Sequence, residues 1–308
     1  MDQVKVFAPA TIANVACGFD VLGLALDFPG DEVVVTKTDS HEVVITAIHN
    51  ADNLPLSVDE NVAGVAVKAL LKKLGSTQGF EIELTKGVKP GSGIGSSAAS
   101  SAAAVIAVNY LLGEPYTRKE LVEFAMQGEK CATGVAHADN VAPSICGGFT
   151  LVRSYEPLDI IKIESPEELW ATVIHPQIEV KTRDARRVLK GGIDLKKAIT
   201  QWGNVGGLIA GLYSKDYDLI GRSLVDVVIE PIRSILIPGY ASVKKASMEA
   251  GALGCSISGS GPSIFALSKG KEQALNVKEA MGEIYKEYGV DYEIHVSKIN
   301  SEGARIIK

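Results

Sequence analysis

Four cysteines, two tryptophans and no sustained apolar run mark out what this 308-residue chain is not. Cys17, Cys131, Cys146 and Cys255 are dispersed without a C-x-x-C pair, so neither a zinc site nor a disulfide framework is expected, and a reducing cytoplasmic setting fits. The most apolar stretch, Ala102 to Leu112, falls short of the roughly 20 residues that span a bilayer. The start, Met1-Asp2-Gln3, lacks the basic-then-apolar pattern of a secretory leader. There is also no basic run: 31 Lys and Arg stand against 37 Asp and Glu, a formal charge of −6, so neither nucleic acid nor an anionic membrane is an expected partner. Internal repeats and low-complexity linkers are missing too.

What is present is a composition of 46% hydrophobic and 22% charged residues, enough for large cores and for two domains at this length. Composition places the junction at Ser165-Pro166-Glu167-Glu168, dividing the chain into residues 1–166 and 167–308. Val4 to Phe7 reads as a strand, Glu32 to Thr38 and Val43 to Ile48 as a hairpin, and Phe80 to Leu84 as a half-buried strand with alternating Glu. Ser57 to Glu60 and Thr117 to Glu120 both have capping-box spacing, the first preceding a helix that Asn61 opens and Gly75 ends. Strands are expected near residues 148–152 and 159–164. Beyond the junction the pattern predicts a strand over 171–174, helices over 182–189, 198–213, 216–224 and 271–288, and strands over 263–267, 292–296 and 304–307, all in an α+β second domain.

The most informative stretch is Lys89 to Ser101, KPGSGIGSSAASS, between the strand at 80–84 and good helix formers from Ala98 onward. Gly91, Gly93 and Gly95 can take left-handed angles and approach a ligand closely, so that backbone N–H groups converge on anionic oxygens beside a helix N-terminus. This is a phosphate cradle in physical terms. It is not a Walker A loop, because Gly95 is followed by Ser96-Ser97 with no lysine. Nor does it fit a dinucleotide fingerprint, whose third glycine would come one position later.

Pro90 through Ala98 instead resembles the Pro-x-x-Gly-Leu-Gly-Ser-Ser-Ala motif of the small-molecule kinases that include galactokinases, homoserine kinases, mevalonate kinases and phosphomevalonate kinases, the GHMP kinases, with Ile94 for Leu. A first motif of the homoserine kinase branch is matched at Ala8, Pro9, Thr11, Ala13, Asn14, Gly18, Phe19, Asp20 and Gly23. It departs at Ala16 and Cys17, where that branch usually has Gly-Pro, which puts local loop shape in question. Glu129 followed by His137-Ala138-Asp139-Asn140 is a further match, and residues 253–262, LGCSISGSGP, match the third motif. The words KTRDARRVL and VIEPIRSILIPGY, containing Arg186 and Arg233, resemble the stretches that supply substrate-binding arginines.

The resemblance spans essentially the whole chain. It implies a GHMP kinase fold: an N-terminal domain like the second domain of ribosomal protein S5 and a C-terminal ferredoxin-like domain. It implies ATP held by Asn61, Lys89, Pro90, Gly91, Ser92, Gly93, Ile94, Gly95, Ser96, Ser97, Ala98 and Ala99, with Mg²⁺ on Ser97 and Glu129. It further implies L-homoserine bound by Asn14, Asp20, His137, Asn140, Arg186 and Arg233, the reaction being phosphorylation of its hydroxyl; a homodimer is left open. Ser97, Glu129, Asp139 and Asn140 form the catalytic set, Asp139 standing either as a base or as a residue that holds the loop while Asn140 orients the hydroxyl. Independently of kinship, an amino-acid zwitterion needs an acceptor for its ammonium and donors for its carboxylate, needs that Asp20 with Asn14 and the two arginines suit. Two other readings stay open: a relative acting on mevalonate or a sugar, and a non-catalytic nucleotide binder.

Overall fold

The computed structural model describes residues 2–178, 188, 189 and 192–307. Strands run in the order β1 (Gln3–Ala13), β2 (Leu22–Thr38), β3 (Val43–His49), β4 (Gly79–Thr85), β5 (Phe149–Tyr155), β6 (Leu158–Ile163), β7 (Leu169–Pro176), β8 (Gly254–Ile257), β9 (Ile264–Lys269), β10 (Tyr292–Lys298) and β11 (Arg305–Ile307). The helices are α1 (Val62–Leu74), α2 (Ser96–Leu111), α3 (Arg118–Thr133), α4 (Val141–Cys146), α5 (Leu195–Ser214), α6 (Tyr217–Ser223), α7 (Glu230–Arg233), α8 (Tyr240–Glu249) and α9 (Lys271–Tyr288). The helix expected over 182–189 lies, apart from its last two residues, outside the described residues, and so does Arg186. No helix among the described residues is long and apolar enough to cross a membrane.

The first sheet is ordered β11-β1-β2-β4-β3, with β5 on β2 and β6 on β5. Alternating Val4, Val6 and Ala8, Val33 and Val35, and Phe80, Ile82 and Leu84 turn one face of it toward α1, α2 and α3. α2 is buried almost all round, which its run of Ala and Ser permits because small side chains let neighbouring backbones come close. The second sheet, β10-β7-β9-β8, is antiparallel throughout and carries α8 and α9 over a core of Ile174, Val243, Ile264, Met281 and Tyr285. A third cluster contains Leu22, Leu24 and Phe149 of the first sheet together with Phe265 and Leu267 of the second and Leu208 and Leu212 of α5. It makes the two layers one packed body.

Three expectations are corrected. The segments read as a hairpin do not pair: β4 lies between them, antiparallel to β2 and parallel to β3. β4 buries three large side chains and suits a central place, whereas β3 buries only Ile45 and takes the edge. Ser57 to Glu60 is not a capping box; the Ser57 carbonyl closes a turn onto the Glu60 and Asn61 amides, while Asn61 opens α1 as expected, accepting from Ala63 N at 3.0 Å. The third concerns the last strand. β11 leaves the second domain and pairs with β1, through Lys5–Ile307 and Phe7–Arg305. The Thr117–Glu120 capping box is present as expected.

Candidate active site

β4 ends at Thr85, and the chain enters the glycine loop under tight control. Asp31 Oδ1 accepts from both Gly87 N and Val88 N at 3.0 Å, while the Ser96 hydroxyl donates back to Val88 O at 2.8 Å. Gly91, Gly93 and Gly95 all have positive φ, 78°, 83° and 72°. Gly95 caps α2 without a side-chain acceptor, so the positive end of a 16-residue helix faces the loop. A cavity of about 330 Å³ opens here, lined by Pro90, Gly91, Gly93, Gly95, Ser96, Ser97 and Ser100 on the loop side.

The glycines serve different ends. A Cβ on Gly93 would stand 2.6 Å from Gly261 O, and one on Gly95 2.1 Å from Thr11 Oγ1, whereas one on Gly91 would meet nothing within 4 Å. Gly93 is therefore set by the close approach of the second glycine turn. Ser258 Oγ donates to Gly93 O at 2.8 Å and Ser263 Oγ to Ser92 O at 2.7 Å, so the third motif buttresses the second.

Glu129, near the end of α3, is 5% exposed and meets the Ser97 hydroxyl. Burial pushes its carboxyl up to about 7, against the opposing pull of the Ser97 hydrogen bond and the Lys86 charge. Its Oε1 is buried without a hydrogen-bond partner. A buried carboxylate oxygen with no donor, beside a serine hydroxyl and a phosphate cradle, fits a hard cation that takes one or two protein oxygens and leaves the rest to phosphate and water. Lys86 lies behind this pair, its ammonium donating to Asp31 Oδ2 and, at 2.8 Å each, to Ser96 O and Ser100 Oγ. Burial lowers Lys86 from the ordinary lysine range while Asp31 and Glu129 hold it up.

The other end of the cavity is built from the first motif. Asn14, Val15 and Ala16 have φ of 70°, 41° and 59°, and Asp20 of 60°. Ala16 thus takes the left-handed turn at which relatives usually place glycine, and the polar groups still reach the cavity. Asn14 Oδ1 accepts from Asp20 N at 3.0 Å, and its Nδ2 donates to Gly259 O at 2.8 Å. His137 Nδ1 stands 3.8 Å from Asp20 Oδ1. Asn140 precedes α4 but spends no side-chain bond on capping it; its Oδ1 accepts from Thr11 Oγ1 at 2.8 Å. Arg233, 3% exposed, donates to Gly259 O at 3.2 Å, with its guanidinium 4.9 Å from the Phe19 ring centre.

One cavity therefore gathers Asn14, Asp20, Pro90, Gly91, Gly93, Gly95, Ser96, Ser97, Glu129, His137, Asp139, Asn140 and Arg233 from the expected set. Other expected residues lie off it. Ile94, Ala98 and Ala99 belong to the cores, Ser92 is buried against Ser263, and Lys89 reaches Gln177. Both ends of the Asn61 amide are used locally, on Ala63 N and Pro55 O, while Val62 and Leu54 nearby line the cavity. Sequence reasoning missed Lys86 and Asp31, and it quoted the stretches that hold Ser100 and Gly259 without naming either for the site. Lys86 and Asp31 are 55 positions apart, and nothing in either local pattern marks them as partners.

The chain matches the family models described as GHMP kinases N terminal domain, over residues 61–148, and GHMP kinases C terminal, over residues 208–287. It is 51% identical over the full length of both chains to the homoserine kinase of Chlorobium phaeobacteroides. It is 41% identical to that of Methanococcus vannielii, over 92% of this chain and 94% of the relative. The crystal structure of homoserine kinase from Cytophaga hutchinsonii superposes with a TM-score of 0.96 at 54% identity, covering 100% of this chain and 98% of that one. With the cradle, the buried Glu129 and the acceptor end already in place, these likenesses settle the kinship: the chain belongs to the homoserine kinase branch of the GHMP kinase family.

Proposed function

We propose that this chain transfers the γ-phosphoryl group of ATP to the hydroxyl of L-homoserine, giving O-phospho-L-homoserine on the route to threonine. The observation that carries the reading is the pair of opposite charges on one cavity: the Asp20 carboxylate and the Arg233 guanidinium both line it, with Asn14 and Arg233 each donating to Gly259 O, and the glycine loop with the α2 terminus lines it too. Asp20 suits an ammonium and Arg233 a carboxylate, the two poles of an amino acid. A hydroxyl on the remaining arm then points toward the phosphate cradle. Arg186, outside the described residues, remains a proposed second carboxylate partner from the resemblance.

Phosphoryl transfer proceeds through a loose transition state, so the protein's task is chiefly placement and charge stabilisation. Loop amides of residues 91–96 and the α2 dipole would receive the phosphates. Ser97 and Glu129 would hold Mg²⁺, which when bound neutralises phosphate charge. Asn140, fixed by Thr11, orients the acceptor hydroxyl, and Asp139 holds the loop that carries it. His137 completes the acceptor wall beside Asp20. A cytoplasmic setting goes with both co-substrates. A relative acting on mevalonate shares the fold, as the L. major mevalonate kinase structure does at a TM-score of 0.72 and 15% identity, but mevalonate carries no ammonium for Asp20. The test is ADP release measured with homoserine, mevalonate and galactose in turn. Release that depends on homoserine alone supports the reading, and release driven by either other alcohol overturns it.

A further inference from the structure

Asp20 occupies a left-handed backbone conformation, φ 60°, which a non-glycine residue keeps only where its surroundings over-determine it. Both of its backbone polar groups are tied. Its N–H goes to Asn14 Oδ1 at 3.0 Å, and its carbonyl accepts from the Tyr155 hydroxyl at 2.8 Å. The same Tyr155 oxygen accepts from Ala138 N at 3.4 Å, so one hydroxyl donates to the Asp20 loop and accepts from the segment that carries His137, Asp139 and Asn140. Tyr155 is the last residue of β5, at the turn into β6, and is not among the residues that line the cavity.

We infer that Tyr155 is a positioning residue for the acceptor half of the site: its hydroxyl sets the backbone of Asp20 and locks it in register with the His137–Asn140 segment. The inference rests on the reading of Asp20 as the partner of the substrate ammonium. Two clamps then hold Asp20. Asn14, itself bound to Gly259, ties it to the second glycine turn, and Tyr155 ties it to the β5–β6 hairpin. The Asp20 carboxylate and the His137 ring, 3.8 Å apart, face the substrate from two chain segments that Tyr155 joins through a single side-chain atom. Loss of that atom lets the two segments drift and blunts recognition of the ammonium, while the nucleotide end is untouched. Tyr155 is 36% exposed, so water can replace its hydroxyl and the expected effect is moderate.

The experiment is a kinetic double-mutant cycle with Tyr155→Phe and Asp20→Asn, varying homoserine at saturating Mg·ATP and then Mg·ATP at saturating homoserine. Tyr155→Phe is expected to raise KM for homoserine by about 3- to 10-fold with a smaller change in kcat, and to leave KM for ATP within about twofold. Because Tyr155 acts through Asp20, adding Tyr155→Phe to Asp20→Asn is expected to cost little more. If Asp20→Asn raises the homoserine KM but Tyr155→Phe does not, or if Tyr155→Phe costs the same factor in both backgrounds, the clamp is overturned while the role of Asp20 stands. An equal rise in the KM of ATP also overturns it, by pointing to general loosening. If Asp20→Asn itself leaves the homoserine KM unchanged, the reading of Asp20 fails and the clamp falls with it.

Discussion

The Ser97 hydroxyl stands beside the Glu129 carboxylate on the cavity wall and draws its proton affinity down, while burial raises it and Glu129 Oε1 is buried with no hydrogen-bond partner. Such an arrangement is unfavourable for the empty protein, since ionised Glu129 has lost water without full replacement. A cation and phosphates held in the cradle, as proposed, would make it favourable.

Glu129→Gln separates these two effects. Turnover should fall by on the order of a hundredfold or more, because the replacement cannot supply the anionic oxygen. Near-normal turnover at limiting Mg²⁺ would remove Glu129 from the metal.

Stability without ligand should move the other way. Folding raises the Glu129 carboxyl from 4.5 to about 7, so the folded chain binds the extra proton, and the associated stability is full below pH 4.5 and lost as pH rises through 7. At about 1.4 kcal/mol per unit this amounts to roughly 3 kcal/mol. Glu129→Gln imitates the protonated form. In metal-free protein the variant should match the parent near pH 4.5 and melt at a higher temperature at pH 8.5; a lower melting temperature at pH 8.5 would contradict the assignment.

The Lys86–Asp31 pair ties the loop entrance to the first turn of α2, and its two side chains are almost fully buried. Lys86→Met alone strands the Asp31 charge and should cost about 3–5 kcal/mol. Joining it with Asp31→Leu should recover much of that loss yet leave the loop untethered. Chemical denaturation checks the first statement. For the second, KM for ATP in the double variant should rise several-fold more than KM for homoserine, and equal rises would show that the pair does not serve the loop.

Gly91 and Gly93 share a positive φ but differ in what surrounds them. Gly91→Ala pays only the left-handed conformation, about 1 kcal/mol, and should fold well. Gly93→Ala drives a methyl group into the Gly261 carbonyl, so it should be clearly less stable than Gly91→Ala and should weaken ATP binding by moving the loop. Paired thermal melts decide this, and equal losses would mean that the two glycine turns are not interlocked as described.

Arg233→Leu should remove a charge-assisted partner of the substrate carboxylate, costing about 1.5–3 kcal/mol, or roughly 10- to 150-fold in kcat/KM for homoserine, with ATP affinity little changed. Unaltered homoserine kinetics would retire Arg233 from the site.

Much of this was legible in the residues because the chemistry is local in sequence. The glycine loop is a short pattern whose chemistry can be read directly, whereas Ser97, Glu129 and the His137–Asn140 word stood out through resemblance to the family's motifs. The alternation of Val4, Val6 and Ala8, or of Phe80, Ile82 and Leu84, marks a strand equally well. Alternation does not name a partner strand, which is why β4 was not expected between β2 and β3, nor β11 beside β1. Proximity to a motif also misleads: Ile94, Ala98 and Ala99 sit inside the most diagnostic stretch, yet the helix that starts at Ser96 turns Ala98 and Ala99 into one core and the loop before it buries Ile94 in another. The Lys86–Asp31 pair and the Tyr155 clamp are tertiary, joining positions 55 and 135 residues apart, and leave no local trace.

The central claim is tested most directly by phosphorus NMR of the product formed from Mg·ATP and L-homoserine by the purified protein. The account predicts a phosphomonoester resonance coupled to the side-chain methylene of homoserine, growing in step with ADP and absent when homoserine is omitted. ADP that accumulates at the same rate without homoserine, with inorganic phosphate as the only other product, would contradict it.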